Sequence, residues 1–205
     1  MAENTFNEPE QYLIKNWVQA HRVEKSMAEI RGKYAGIFDR VWDAVRATPD
    51  QFDHYKPRLT QFWCEGYMGI GREKWRREGG DQPLIVIDSL RLEVLLDDES
   101  ELPFAGIWAC KAKRPGTDLE GVGRIGSEAE KVLTKEELAR CQIESQCNYG
   151  YVLRYDLPED RHDLAGFLLE GDGQKFVDCM VSHFEVLARF IPVLDEVFTK
   201  PIKRE

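Results

Sequence analysis

The sequence predicts an α+β domain: an N-terminal helix or helical pair, a three-stranded antiparallel meander, a helix, a fourth strand and a long C-terminal helix. Three observations carry that expectation. Apolar residues recur at steps of three and four within the first 47 residues and again over 174–198, the period of a helix with a buried face. Between these stretches, runs rich in strand-forming residues at 61–71, 84–96 and about 104–112 alternate apolar with polar, the period of a strand. Polar turns rather than helices join those runs, so consecutive strands pair antiparallel.

In chain order, Met27, Ile30, Tyr34, Ile37, Phe38, Val41, Trp42 and Val45 form one helical stripe. Tyr12, Leu13, Trp17 and Val18 make an earlier apolar patch, which fits one long helix or two helices with a break near Lys25-Ser26. Gly32 and Gly36 fall off the stripe and suggest close packing against a neighbour. Thr48-Pro49-Asp50 stops the helix, because the residue before a proline avoids the α region. The first strand, 61–71, is diluted by Gly66, Gly69 and Gly71. After the second and third strands comes a glycine-rich loop over 115–126, then a helix over roughly 134–146 with Thr134 and Glu137 as a capping box. Tyr149–Asp156 is the fourth strand, His162–Leu169 a short helix, and Gly171-Asp172-Gly173 a turn. The last helix carries apolar residues on a broad face and is kinked by Pro192. The chain therefore reads as a single domain over 1–205, with 1–47 helical, 61–156 forming the sheet and 174–198 packing on it.

A chain of 205 residues with 42% hydrophobic residues can bury a core without disulfide or metal staples. Its net charge of -9 argues against a general nucleic-acid coat or an anionic-membrane binder, and the acidic excess sits mainly in 115–205. Five scattered cysteines, Cys64, Cys110, Cys141, Cys147 and Cys179, suit reduced thiols better than a disulfide framework. The polar N-terminus does not resemble a signal peptide, and no apolar run approaches the roughly 20 residues of a membrane span. The expectation is a soluble, cytoplasmic protein.

Few stretches carry chemistry. Gly121-Val122-Gly123-Arg124-Ile125-Gly126 is literally G-x-G-x-x-G, but no βαβ pattern surrounds it, so no dinucleotide cofactor is expected. The four histidines lack an H-x-x-x-H or C-x-x-C partner, so no metal is expected, and His183 reads as a satisfied core histidine. One constellation stands out. The first and third strands run the same way, so the cations following them, Arg72, Lys74, Arg76 and Arg77 with Lys111, Lys113 and Arg114, collect at one end of the sheet. Asp88, read as near the start of the second strand, is expected at that same end, on the face of Leu84, Val86 and Leu90. This would be an anion site for phosphate, nucleotide or nucleic-acid backbone, with Trp75 and Trp108 available for stacking. The simpler reading is a set of charged strand ends that keep the sheet edges unpaired.

The order helix-strand-strand-strand-helix-strand resembles the core of the PD-(D/E)xK nuclease-like fold. That resemblance implies a carboxylate on the second strand and a (D/E)-x-K on the third that bind a metal and activate water. Asp88 would be the first and Lys111 the lysine, while the third-strand carboxylate position is Ala109. Two functions are thus in play. One is a non-catalytic binding or interaction protein (adaptor, inhibitor or regulator) with a protein partner or self-association, using the aromatic-rich sheet or the acidic C-terminal part. The other is a metal-dependent phosphodiesterase or nuclease-like enzyme, degenerate if Ala109 holds that place, with Asp88 and Lys111 as its catalytic candidates. The absence of a complete catalytic set favours the first, and the acidic chain as a nucleic-acid decoy is a third, weaker idea.

Overall fold

The computed structural model describes residues 7–47, 60–64, 67–71, 85–96, 101–108, 119–143 and 151–199. Its contacts divide the chain into two compact units, Met1–Ile37 and Phe38–Glu205.

The first unit is helical. Helix α1, Glu8–Lys15, begins at a reciprocal cap: the Asn7 side chain accepts from the Glu10 amide, and the Glu10 carboxylate accepts from the Asn7 amide at 2.7 Å. It ends at Asn16, whose side-chain amide donates to the Tyr12 carbonyl at 2.9 Å. Helix α2, Trp17–Ala47, then runs unbroken through Lys25, Ser26, Gly32 and Gly36. The break lies at Asn16 rather than near Lys25-Ser26, because Asn16 leaves the helical region (φ -115°, ψ 30°) while nothing at 25–26 opposes it. The two glycines do not mark close packing: among the described residues no atom lies within 4 Å of where a Cβ would stand.

The second unit holds a six-stranded sheet of order β1-β2-β3-β4-β6-β5, antiparallel throughout. Its strands are β1 (Thr60–Cys64), β2 (Tyr67–Gly71), β3 (Ile85–Asp88), β4 (Phe104–Trp108), β5 (Cys141–Ile143) and β6 (Tyr151–Asp156). The expected meander is β2-β3-β4, extended on both sides. The single strand expected at 61–71 is a hairpin, with Cys64 opposite Tyr67, because the alternation that reads as one strand continues through the turn. The expected second strand stops at Asp88. Ser89 takes a left-handed φ of 61°, and helix α3 (Leu92–Leu96) follows, burying Leu92 and Leu95 at helical spacing.

The period of two sorts the sheet into unlike faces. Met68, Ile87, Ala105 and Tyr155 align across β2, β3, β4 and β6, and Ile70, Ile85, Ile107 and Leu153 form the next row. All eight are buried. Helix α7 (Gln174–Ala188) lies against β3 and β4 with Phe176, Val177, Met180, Phe184 and Leu187 buried. The opposite face carries Gly69, Val86, Gly106 and Arg154 in one row and Asp88, Phe104 and Asp156 in the next.

Two further expectations are corrected. The G-x-G-x-x-G segment lies inside helix α4 (Leu119–Val132), not in a loop, because Ile125, Ala129 and Leu133 bury a helical stripe despite three glycines. Gly126 matters there, since an added Cβ would meet the Ile143 Cγ2 at 3.0 Å. The helix expected over 134–146 is the short α5 (Lys135–Leu138), started by the Thr134–Glu137 box, after which β5 pairs with β6. Helix α6 (Arg161–Phe167) matches expectation, capped by Asp160. Left-handed φ at Gly171, Asp172 and Gly173 makes the turn into α7. The C-terminal helix is broken into α7 and α8 (Ile191–Thr199), with Pro192 admitted in the first turn of α8.

Candidate functional site

Asp88 sits at the end of β3, not its start, and pairs with Phe104 at the beginning of β4. It is therefore at the opposite end of β4 from Trp108. Four steps of about 3.3 Å separate Phe104 from Trp108 by roughly 13 Å. The expected position near the start of a strand is corrected, because 84–96 is not one strand: β3 stops at Asp88 and α3 follows. Arg72, Lys74, Arg76, Arg77, Lys111, Lys113 and Arg114 lie outside the described residues, as does Trp75. β2 and β4 do run the same way, each antiparallel to β3.

Both Asp88 oxygens are engaged. Oδ1 accepts the Ser89 amide at 2.6 Å, and Oδ2 accepts the Tyr151 hydroxyl. Tyr151 lies over Gly106, whose missing Cβ leaves room for the ring, and meets Phe104 edge-on at 4.9 Å between centroids. Burial, then the hydrogen bond to Asp88 and its charge, push the Tyr151 hydroxyl far above its usual value, so it stays a donor. On the other side of Phe104, the Arg154 guanidinium stands 3.9 Å from the ring centroid and pairs with Asp156 at 2.5 Å and Glu101 at 3.0 Å. Gln142 completes this face by donating to Asp156 at 2.7 Å. The result is a closed polar and aromatic network in which Asp88 orients Tyr151.

A second group lies beside the other face of the sheet. Glu159, Cys179 and His183 each offer one donor atom within 4.8 Å of the other two. Cys179 and His183 are one helical turn apart on α7, and Glu159 comes from the turn before α6. The sequence does carry a signal for the pair, the spacing C-x-x-x-H, which places both side chains on one helix face. It is neither H-x-x-x-H nor C-x-x-C, and nothing in the sequence ties Glu159 to it. His183 is buried, as expected for a core histidine, but only its Nδ1 has a close partner, the Cys179 carbonyl at 2.7 Å. His162 and Asp163, adjacent in sequence, are both exposed.

No helix among the described residues is long and apolar enough to cross a membrane. The first unit, in contrast, displays a good deal of apolar surface: Leu13, Ile14, Trp17, Val18 and Val23 are all more than half exposed. No protein-family model, curated protein or solved structure matches this chain.

Proposed function

We propose that the chain is a non-catalytic interaction protein that works through its N-terminal helices, and that it pairs there with a second copy of itself. The observation that supports this reading is the exposed apolar stripe of α1 and α2, where Trp17 is 63% and Val23 61% exposed. Isolated exposed apolar residues need no explanation, but a stripe does. Leu13, Asn16, Ala20, Val23, Met27 and Ile30 repeat at steps of three and four, the spacing of a two-helix seam. Within α2 the seam from Ala20 to Ile30 is roughly 15 Å long at 1.5 Å per residue, and Leu13 continues it on α1 beyond the break at Asn16.

Charge favours an antiparallel copy as the occupant. The helical unit is acidic at its start (Glu8, Glu10) and basic towards its end (Arg31, Lys33). Pairing centred between Ala20 and Val23 sets Leu13 opposite Ile30 and brings Glu10 beside Arg31 of the second copy, twice by symmetry. The nuclease-like reading starts from Asp88, and both of its oxygens already serve Tyr151 and Ser89.

Sedimentation or light scattering of the full chain tests the proposal. A dimer is expected for the native sequence and a monomer for Trp17→Glu and Val23→Glu, with thermal unfolding of the second unit unchanged. A native chain that stays monomeric into the hundreds of micromolar overturns it, as does a dimer that survives both substitutions.

A further inference from the structure

We propose that Glu159, Cys179 and His183 form a binding site for one zinc-class divalent ion, which ties the turn between β6 and α6 to helix α7.

The tautomer of His183 is the first reason. A carbonyl oxygen can only accept, so the 2.7 Å contact from Nδ1 to the Cys179 carbonyl places the ring proton on Nδ1. The lone pair is then on Nε2, the arrangement that orients a metal-binding imidazole.

The second reason is what Nε2 faces. Glu159 Oε2 lies 3.9 Å away, too far for a hydrogen bond. That oxygen is shut off from solvent and meets no donor of good geometry among the described residues, although the Glu159 carboxylate draws a weak hydrogen bond from the Cys179 thiol. A shielded carboxylate oxygen without a donor is costly unless a cation balances it. Two donors each about 2.0–2.1 Å from one tetrahedral ion stand roughly 3.4 Å apart, so an ion here draws Nε2 and Oε2 together by about half an ångström. The Cys179 sulfur completes the group within 4.8 Å, and a zinc–sulfur bond of about 2.3 Å reaches it after a small side-chain adjustment.

Chemistry selects the ion. A thiolate with an imidazole and a carboxylate suits zinc-class metals, whereas magnesium and calcium prefer oxygen ligands alone. Burial and the Glu159 carboxylate push the Cys179 thiol up to about 12, so it is a thiol in the free protein and passes its proton to solvent when the metal–sulfur bond forms. One thiolate and one carboxylate then neutralise the dication. Around the group stand the Tyr155 ring, 5.4 Å from His183 and tilted against it, and Arg140, a cation whose charge acts on His183.

The test uses the full chain, stripped with a chelator and titrated with Co2+ as the probe, followed by displacement with Zn2+. The expected result is one cobalt per chain with a thiolate-to-cobalt charge-transfer band. Cys179→Ser abolishes that band, His183→Gln and Glu159→Gln weaken binding by tenfold or more, and Cys141→Ser leaves both unchanged. Circular dichroism of each metal-free variant checks its fold. A second measurement needs no variant: Zn2+ slows alkylation of Cys179 in the native chain at least tenfold and leaves Cys141 untouched. Absence of the band, its survival in Cys179→Ser, or alkylation of Cys179 indifferent to Zn2+ overturns the proposal and leaves His183 as a buried core histidine 3.9 Å from Glu159.

Discussion

Gly106 on β4 gives the sharpest test of how the polar face of the sheet is built. β4 lies between β3 and β6, so its backbone has no edge at which to yield. A Cβ added at Gly106 would stand 2.3 Å from Tyr151 Cδ1 and 2.7 Å from its Cε1, well inside contact distance. In Gly106→Ala the ring must therefore leave its place. Overpacking costs about 1–3 kcal/mol. Moving the ring also loses the Tyr151–Asp88 hydrogen bond, and a bond to a charged group is worth about 1.5–3 kcal/mol. These costs overlap, because one displacement relieves the clash and breaks the bond, so the expected loss is about 3 kcal/mol. For a chain of this size that is a fall in Tm of roughly 6–12 °C. Gly123→Ala is the control: it lies in α4, exposed, with no described atom within 4 Å of the added Cβ, and should be neutral or gain up to about 1 kcal/mol from helix propensity. Urea unfolding of both variants decides the matter. Gly106→Ala within about 0.5 kcal/mol of the native chain would refute the packing of Tyr151 on Gly106.

Two pH effects follow from the same structure. Tyr151 holds its proton in the folded state above its ordinary value near 10, so its contribution is complete below pH 10 and is lost as the pH rises further. Tyr151→Phe should cost about 1.5–3 kcal/mol at neutral pH and flatten the alkaline fall in stability; an unchanged alkaline slope in the variant would remove Tyr151 from the account. Burial works against ionisation of Glu137, but hydrogen bonds from Arg189 and Thr134 prevail and hold its carboxyl below the usual 4.5. Its stabilisation is thus present above pH 4.5 and fades below it. Glu137→Gln, which keeps the capping geometry, should cost up to about 1 kcal/mol at pH 7 and nothing by the acid limit. Equal losses at pH 7 and at the lowest pH where the fold survives would contradict that pairing.

Much of this protein could be read from local pattern. The helical period gave α2, α7 and the interruption near Pro192, and the period of two gave the meander, because both report burial on one side of a regular element. The errors arose where tertiary contacts overrode local chemistry. The G-x-G-x-x-G segment is helical because Ile125 and Ala129 are buried, although three glycines disfavour a helix. Residues 141–143 form a strand because β6 offers an open edge beside them. The end of β3 depends on one left-handed serine, which no alternation reveals.

By itself, then, the sequence determined the class of the domain, its acidic balance and the buried stripes of its main helices, since these follow from periodicity and composition. In β3 the core face is that of Ile85 and Ile87, not the even positions that the alternation favours. Only the tertiary structure decided which chemical groups meet. Asp88 reaches Tyr151 across 63 positions, and Glu159 reaches Cys179 and His183 from another element. Such meetings are set by strand register and helix packing, which bring together residues whose local sequence carries no trace of one another.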